Sequence, residues 1–501
     1  MNNITYKIIL VAFGLLFFAT SCDDGFAEIN TNPTQAISIN PNFQFSWAQL
    51  RTSGGRYENW RANLIYSSMM MQHLAATCGY WSGDKYSYNG GYSSSLIDRA
   101  YNEQVKDIVD LINTLEAGEV GDQTMLGMAR IWKVVVFQRL TDTYGDIPYF
   151  EAGKGAIEGI DFPAYDSQES IYMDMLKELE EGVAQLGSGG FGSADIMFGG
   201  DVEKWRKFGN SMMLRLAMRL SEVDAGTAQA WTAKAIAGGV MSSNADDAFL
   251  EHTNGPEGIN QNGIGQVLDK SNGFGDDCPR LSNTMVDWMD ATGDPRRAIF
   301  GVPVGGVIKG MPNGLDATTI VDNPTGGSVE DFSRINPAIV RVESPMMFQT
   351  HGEVELLLAE AAMRGWHSGD AADHYANGVR SAMNLWAHYD ASLAVDPGAI
   401  DTYLAANPFD AANGMSQIGW QYWAATFLNE YETFSNWRRT GTPELTPVNF
   451  PGNATGGQIP VRLAANPGEG TLNPNWQSAA DRQGLSSDFQ SHLVVPVWWD
   501  K

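Results

Sequence analysis

Residues 356–379 read LLLAEAAMRGWHSGDAADHYANGV, and they contain two helix signals separated by a turn. Alanine and leucine recur at helical spacing in the first part, so a neighbouring helix can pack closely against it. Gly365 fits a helix end, and Ser-Gly-Asp at 368–370 is typical of a turn before a new helix. The stretch therefore predicts one helix over about 351–365 and a second over about 370–388.

Other windows of the chain show the same apolar period of three to four residues. The strongest of them cover residues 122–143, 168–186, 203–221 and 415–438. Helix pairs of this size indicate tetratricopeptide-like units, although no clean repeat of about 34 residues is visible. We therefore predict a mainly α, irregular helical fold with tetratricopeptide-like helix pairs, and we expect the apolar stripes to form its core.

Strand signals are few, and the best are residues 299–308 and 492–498. Residues 251–346 are rich in Gly, Asn and Pro, which predicts a loop-rich insertion with a few short hairpins. Long ordered loops in a folded protein usually serve binding, so we expect this insertion to form a loop-rich face.

Composition limits the classes of partner. The 501 residues contain 32 Lys plus Arg and 59 Asp plus Glu, a formal charge of −27. Both a nucleic-acid binder and a surface that adheres to anionic lipid need clustered basic residues. The strongly acidic balance therefore argues against both classes of partner. Hydrophobic residues make up 43 % of the chain, enough for a large core.

The N-terminus resembles a processing signal. The apolar run over residues 8–19 is shorter than the about 20 residues that span a bilayer, and Cys22 follows small residues. This pattern predicts a lipoprotein signal over 1–21 with Cys22 lipidated, a tether and extension over 22–45, and one helical domain over 46–501. The alternative is an ordinary secretory signal cut near Cys22.

Sequence spacing leaves the pairing of Cys78 and Cys278 open, and we favour two separate small apolar side chains. Asp276 and Asp277 carry oxygens suited to calcium, but no EF-hand loop surrounds them, so a solvated acidic turn is favoured. The histidines form no i, i+4 pair, so we predict no zinc site, and we expect no cofactor. Common nucleophile motifs are absent, whereas spacing carries no information on paired glycosidase carboxylates.

Residues 79–92, GYWSGDKYSYNGGY, concentrate aromatic residues that no apolar period explains. Aromatic faces with polar neighbours suit sugar rings, whose C–H faces stack while their hydroxyls form hydrogen bonds. The alternative is a packed, tyrosine-rich loop. The predicted ligand-binding residues are Trp81, Asp84, Tyr86, Tyr88, Asn89 and Tyr92. If this loop is not the site, the 272–280 loop with Phe274, Asp276 and Asp277 is the next candidate.

Several long blocks of the chain resemble the SusD/RagB family of outer-membrane nutrient-binding lipoproteins, in its SusD-like, starch-binding-associated branch. They are CDDGFAEINTNPTQA (22–36), RIWKVVVFQRLTDTYGDIPYFEA (130–152), VELLLAEAAMRGW (354–366), YWAATFLNEYETFSNWRRTGTPEL (422–445), IPVRLAANPGEGTLNPNWQSA (459–479) and VWWD (497–500). The resemblance implies a helical fold, a lipid-anchored protein on the surface of the outer membrane, and a TonB-dependent, SusC-like β-barrel transporter as partner. It also implies an oligosaccharide ligand, although some members of the family take peptides.

The function that we expect from the sequence is therefore non-catalytic capture of an oligomeric nutrient and its delivery to the barrel. Two alternatives belong to other classes. One is a secreted glycan-cleaving enzyme, against which the missing nucleophile motifs count weakly. The other is a helical scaffold without a small ligand, which would need neither the aromatic loop nor the loop-rich insertion.

Overall fold

Helices that pack on their neighbours in the chain build most of this protein. The structure is a computed structural model, and it describes residues 39–118, 120–255, 258–273 and 275–501. Residues from Pro41 to Lys501 form one compact unit. The predicted signal over 1–21, Cys22, most of the predicted tether and Phe274 lie outside the described residues.

Within the described residues, the α-helices of eight or more residues are α1 Pro41–Thr52, α2 Lys106–Glu116, α3 Gln123–Tyr144, α4 Gln168–Gln185, α5 Val202–Arg219, α6 Ala225–Gly238, α7 Asn283–Thr292, α8 His351–Met363, α9 Ala371–Asn384, α10 Pro397–Ala406, α11 Gly414–Ala425, α12 Glu430–Thr440 and α13 Trp476–Gln483. Shorter α-helices cover Arg56–Glu58, Gly90–Ser93, Ser95–Arg99, Gly155–Glu158, Gly263–Leu268, Arg297–Phe300 and Glu469–Leu472, and π-helical segments cover Asn59–Ser68 and Ala100–Val105. The predicted helical fold class is confirmed.

Side-chain caps explain where the long helices begin. Each N-cap oxygen accepts a hydrogen bond from a backbone N–H of the first turn, which would otherwise have no partner. The capping residues are Asp122 for α3, Ser167 for α4, Asp201 for α5, Asp224 for α6, Thr350 for α8 and Asp370 for α9. The predicted starts at 122, 168, 203, 351 and 370 lie within two residues of these caps.

Helices α3 and α4 meet at a contact between two glycines. A Cβ on Gly127 would lie 2.5 Å from the carbonyl oxygen of Gly182, and one on Gly182 would lie 3.0 Å from that of Gly127. Glycine therefore lets the two backbones approach closely, and the predicted apolar stripe of α3, which includes Trp132 and Val136, is buried in the core.

The predicted helix over 415–438 is two helices, α11 and α12. Helix α11 ends at Ala425, and Leu428 adopts a left-handed conformation with a φ of +72° in the turn before α12. The turn brings the buried carboxylate of Glu430 to the π-helical segment Asn59–Ser68 and its neighbour His73. Glu430 accepts hydrogen bonds from the backbone N–H of Leu428 at 3.0 Å and from the hydroxyl of Ser68 at 3.1 Å, and it contacts His73 Nδ1 at 2.7 Å.

A buried polar network joins α5 to α8 and α12. The guanidinium of Arg215 donates two hydrogen bonds of 2.7 Å to Glu353, and that of Arg219 donates 2.7 Å hydrogen bonds to Glu432. All four side chains are buried, so the network fixes the relative position of these helices.

Both predicted strands were wrong. Residues around 299–308 form the short helix Arg297–Phe300 and a tight turn bridged between Val304 and Val307, and residues Phe489–Val494 are a 3₁₀-helix. The strands observed in the described ranges are β1 Leu74–Ala75, β2 Ala248–Leu250, β3 Arg280–Leu281 and β4 Met346–Gln349. β1 pairs antiparallel with β3, which lies within the loop-rich region, and β2 pairs antiparallel with β4 at the two ends of that region, so both pairings are long-range.

Among the helices of the described residues, none has both the length and the apolar character that a bilayer crossing requires.

Candidate functional site

A disulfide between Cys78 and Cys278 joins the start of residues 79–92, which we call the aromatic loop, to a segment 200 residues further along the chain. The expectation of two separate thiols was therefore wrong. Pairing of β1 with β3 places Leu74 opposite Leu281 and Ala75 opposite Arg280, which brings the two cysteines together. The spacing of the cysteines in the sequence does not reveal a pairing between residues so far apart in the chain.

Asp276 fixes the aromatic loop from the other side of this disulfide. One carboxylate oxygen accepts a 2.8 Å hydrogen bond from Trp81 Nε1, and the other accepts from the hydroxyl of Tyr80 at 3.2 Å and the backbone N–H of Cys278 at 3.0 Å. Asp277 pairs with Lys270 at 2.6 Å and with Arg334 at 2.8 Å. The side chain of Asp277 is 39 % exposed, in agreement with the favoured solvated acidic turn, and both carboxylates also accept from protein donors.

Three of the predicted ligand-binding residues lie in the interior of the loop. Trp81 is fully buried. Asp84 is buried in an ion pair with Lys85 at 2.8 Å, it accepts from the backbone N–H of Gly314 at 3.0 Å, and burial raises its pKa. The hydroxyl of buried Tyr86 accepts from the backbone N–H of Val448 at 3.1 Å, and burial raises its pKa to about 12. These side chains pack the loop in the present conformation, and no face of theirs is open for stacking.

The other three predicted residues lie nearer the surface. Asn89 is exposed, and its side-chain oxygen accepts a 3.0 Å hydrogen bond from the backbone N–H of Tyr92, which caps the helix Gly90–Ser93. Tyr88 is half-buried and packs beside a small apolar cluster that contains Trp476. The half-buried Tyr92 belongs to a second group of aromatic residues, which contacts the solvent.

This group consists of Tyr57, Trp60, Tyr80 and Tyr92. The ring of Trp60 lies 6.0 Å from that of Tyr80 in an edge-on arrangement and 6.2 Å from that of Tyr92. The guanidinium of Arg61 lies over three of the rings, 4.0 Å from the centroid of Tyr57, 4.8 Å from Trp60 and 5.1 Å from Tyr92. Such stacking holds a guanidinium and several rings in one fixed arrangement.

Trp60 and Arg61 line a cleft of about 470 Å³, which we call the aromatic–arginine cleft. Its other residues come from the end of α1, the segment 53–57, Arg99 and the segment 258–266: Leu50, Arg51, Ser53, Gly54, Gly55, Arg56, Tyr57, Arg99, Gly258, Ile259, Gln261 and Gln266. Tyr80 and Tyr92 extend the aromatic wall beyond Trp60. Tyr80 is 45 % exposed.

The polar side chains of the cleft are held by the protein. Gln266 joins the two walls, because its side-chain oxygen accepts from the backbone N–H of Arg56 at 3.0 Å and its nitrogen donates to the carbonyl of Gly258 at 2.7 Å. Arg56 is exposed, and its guanidinium lies 5.4 Å from the ring of Trp60. The cleft thus combines ring surface with guanidinium donors, a combination that suits a polar ligand with flat apolar faces.

Sequence reasoning placed Tyr92 in this site and named Tyr80 among the aromatics of its loop, but it missed Tyr57, Trp60, Arg56 and Arg61. The signal was available in RYENWR, residues 56–61. Aromatic and arginine residues three or four apart there lie on one side of a helix, where they stack on one another.

A mainly α, tetratricopeptide-like architecture with an aromatic cleft beside its loop-rich region defines the structural class. The model of the SusD-like family, described as "Starch-binding associating with outer membrane", matches residues 33–465. A solved structure described as a chitin-binding protein is 33 % identical, covers 92 % of this chain and 100 % of its own, and superimposes with a TM-score of 0.83. The chain belongs to the SusD-like family, and the family resemblance seen in the sequence is confirmed.

Two further solved structures are similar to the chain. One described as "Bacteroidetes AC2a SusD-like" is 26 % identical, with 92 % of this chain and 100 % of that chain covered and a TM-score of 0.80. A chitin-binding SusD homolog from Flavobacterium johnsoniae shares the fold, at 24 % identity, 92 % and 99 % coverage and a TM-score of 0.77. A search of curated protein sequences gives no match.

Proposed function

We propose that this protein is a non-catalytic receptor for an oligomeric glycan at the outer membrane. The observation that carries the proposal is the aromatic–arginine cleft, in a chain of a family described as starch-binding. The 33 % identical protein described as chitin-binding supports a glycan as the ligand class. The cleft is also compatible in size with a small oligosaccharide, because ligand sites commonly measure about 300–1,000 Å³.

In this proposal the exposed ring of Tyr80 and the face of Trp60 stack on sugar C–H surfaces. The guanidinium of Arg56 lies on the same cleft and donates hydrogen bonds to hydroxyl or acetamido oxygens, whereas the amide N–H groups of Gln266 are bound by Gly258 and Gln261 and only shape the cleft. Because Arg61 already stacks on three rings, the aromatic wall is pre-organised and little conformational entropy is lost on binding. Trp81, Asp84 and Tyr86 support the wall from below rather than touch the ligand.

Retention on insoluble polysaccharide tests the ligand class. The protein should be retained on at least one of starch, chitin or a panel of cell-wall glycans, and Trp60→Ala should lose retention. Phe150→Ala is the matched control, since Phe150 is 44 % exposed and lies outside the aromatic–arginine cleft. Retention on none of the glycans, with binding of peptides instead, would favour the peptide-binding alternative within the family.

The contacts of the carboxylates near the cleft favour binding over hydrolysis. Glu58 accepts a hydrogen bond from the backbone N–H of Gly55 and is buried, and Glu103 is paired with Arg51 and Arg99. A glycosidase needs two carboxyl groups that face the glycosidic bond. Incubation with a glycan that binds should therefore release no new reducing ends, and their steady release would establish the enzyme alternative.

We further propose that the protein is lipid-anchored through Cys22 and delivers its ligand to a TonB-dependent, SusC-like β-barrel. The motif around Cys22 and family membership support this. Cys22→Ala should move the protein from the membrane to the soluble fraction, and unchanged membrane association would contradict the anchor. Purification from gently solubilised membranes should recover a large barrel protein, and recovery without any barrel would contradict the partnership.

A further inference from the structure

Two histidines meet at the turn between α8 and α9, far along the chain from the aromatic–arginine cleft. His367 lies in the turn and His374 lies in the first turns of α9, after the N-cap residue Asp370. Their Nε2 atoms are 3.1 Å apart, and both side chains are partly exposed. The two histidines are seven residues apart in the sequence, so they form no i, i+4 pair, and the turn brings them together.

The ring of His374 is oriented by a carboxylate from α8. Its Nδ1 lies 2.7 Å from Oε2 of Glu355, whose other oxygen lies 3.2 Å from Nε2 of His351. A carboxylate can only accept, so the proton of a neutral His374 resides on Nδ1 and the lone pair of Nε2 points toward His367. Histidines that bind metal ions usually donate their other ring N–H in this way, to a carboxylate, a backbone carbonyl or water.

The spacing and the surroundings of the two nitrogens suit a shared ion. A tetrahedral ion with metal–nitrogen distances of about 2.0–2.1 Å holds two nitrogens about 3.3 Å apart, close to the observed separation. Gly369 lies beside both atoms, because a Cβ at that position would be 2.3 Å from Nε2 of His374 and 2.5 Å from Nε2 of His367. Glycine therefore leaves room at the point where the two nitrogens converge.

We propose that His367 and His374 together bind one divalent transition-metal ion, such as Zn²⁺, Ni²⁺ or Cu²⁺. Imidazole nitrogens are ligands that these ions prefer. The described residues contain no group of three or more His, Cys, Asp or Glu side chains placed to hold a metal ion, so water fills the other coordination positions. Glu355 is a positioning residue, and the bound ion links the turn to the start of α9.

The test uses the mature chain without a polyhistidine tag, treated with chelator and titrated with Zn²⁺ in a calorimeter. We expect one ion to bind per chain, with affinity reduced at least tenfold in His367→Gln and in His374→Gln. Glu355→Gln should weaken binding by about tenfold or more while both ligands remain. Gly369→Ala should also weaken it, because the added Cβ occupies the space between the imidazoles. His388→Gln is the control, since His388 is a half-exposed histidine that contacts Asp247.

A spectroscopic measurement on the unaltered chain keeps the proposal testable if a variant folds poorly. One equivalent of Cu²⁺ should give an electron paramagnetic resonance spectrum with hyperfine splitting from two imidazole nitrogens. Absence of stoichiometric Zn²⁺ or Cu²⁺ binding would overturn the proposal and leave the pair as a simple histidine–histidine hydrogen bond. Binding of equal strength in the folded double variant His367→Gln/His374→Gln would overturn it as well.

Discussion

The indole Nε1 of Trp81 donates a 2.8 Å hydrogen bond to the carboxylate of Asp276, 195 residues further along the chain. The disulfide between Cys78 and Cys278 lies beside this contact. Trp81 is thus the buried anchor of the aromatic loop, and its neighbour Tyr80, which bonds to the same carboxylate, is the residue exposed at the surface. Trp81 therefore supports the loop from the interior, and Tyr80 exposes its ring at the surface.

Replacement of this anchor should destabilise the protein. Trp81→Ala removes a fully buried ring and leaves Asp276 without one of its donors, so we expect a loss of about 3–5 kcal/mol in the free energy of unfolding. Trp81→Phe keeps most of the packing and should cost less. Urea unfolding measures both. A Trp81→Ala variant with unchanged stability but weakened glycan binding would place Trp81 in the ligand site instead.

The disulfide should contribute strongly to stability. In the chain-entropy account, closing a loop of this length stabilises the folded state by about 5 kcal/mol, an upper value because residual structure in the unfolded chain reduces it. The variant Cys78→Ser/Cys278→Ser should melt at a lower temperature, and a reducing agent should lower the melting temperature of the unaltered chain but leave that of the variant unchanged. Equal melting temperatures of all samples would contradict the bond.

Glu432 should be among the most sensitive positions of the core. Burial raises the pKa of its carboxyl, but the guanidinium groups of Arg219 and Arg215 outweigh burial and lower it. Glu432→Ala removes the carboxylate to which the buried Arg219 donates its 2.7 Å hydrogen bonds, whereas Arg215 keeps its pair with Glu353, so we expect a loss of about 3–5 kcal/mol from Arg219. Glu203→Ala, at an exposed pair with Arg206, should cost less than about 1 kcal/mol. Similar losses in the two variants would contradict the importance of the network.

His252 should make stability depend on pH. Burial lowers its pKa to about 4, below the 6.5 of a free imidazole, and its Nδ1 donates to the carbonyl of Asn260 at 3.1 Å. Between these values the unfolded chain binds a proton that the folded chain does not, so stability falls as the pH drops from about 6.5 to 4. We expect His252→Gln to remove on the order of 3 kcal/mol of this loss, measured by denaturant unfolding across that pH range. If the free energy of unfolding depended on pH in the same way in the variant and the unaltered chain, the assigned role of His252 would be contradicted.

Much of the fold follows from local patterns in the chain. Cap residues such as Asp122 and Ser167, followed by apolar residues at helical spacing, are sufficient to place α3 and α4. The break at Leu428 was not predictable in this way, because the turn is stabilised by the contacts of Glu430 with Ser68 and His73 from the other end of the chain. The strands predicted over 299–308 and 492–498 were wrong for the same reason. The observed strands are short and pair with residues far away in the chain, so local patterns do not reveal them.

The site was predictable only in part, for a physical reason. Aromatic density identified the loop over 79–92, but density does not distinguish a buried ring such as Trp81 from an exposed one such as Tyr80. That distinction depends on Asp276 and the disulfide, which are distant in sequence. Trp60 and Arg61 lie on a helix and resemble ordinary amphipathic residues until the fold brings them against Tyr92.

The central claim is that the aromatic–arginine cleft binds a glycan through exposed aromatic rings. The most direct test is calorimetric titration of chito- and malto-oligosaccharides into the unaltered chain, Tyr80→Ala and Phe150→Ala. We expect at least one oligosaccharide to bind, with affinity lowered about tenfold or more in Tyr80→Ala, because a stacking residue at a binding hot spot contributes about 2 kcal/mol. Phe150→Ala should bind normally. Equal affinity of all three proteins for a ligand that binds, or no binding of any oligosaccharide, would contradict the account.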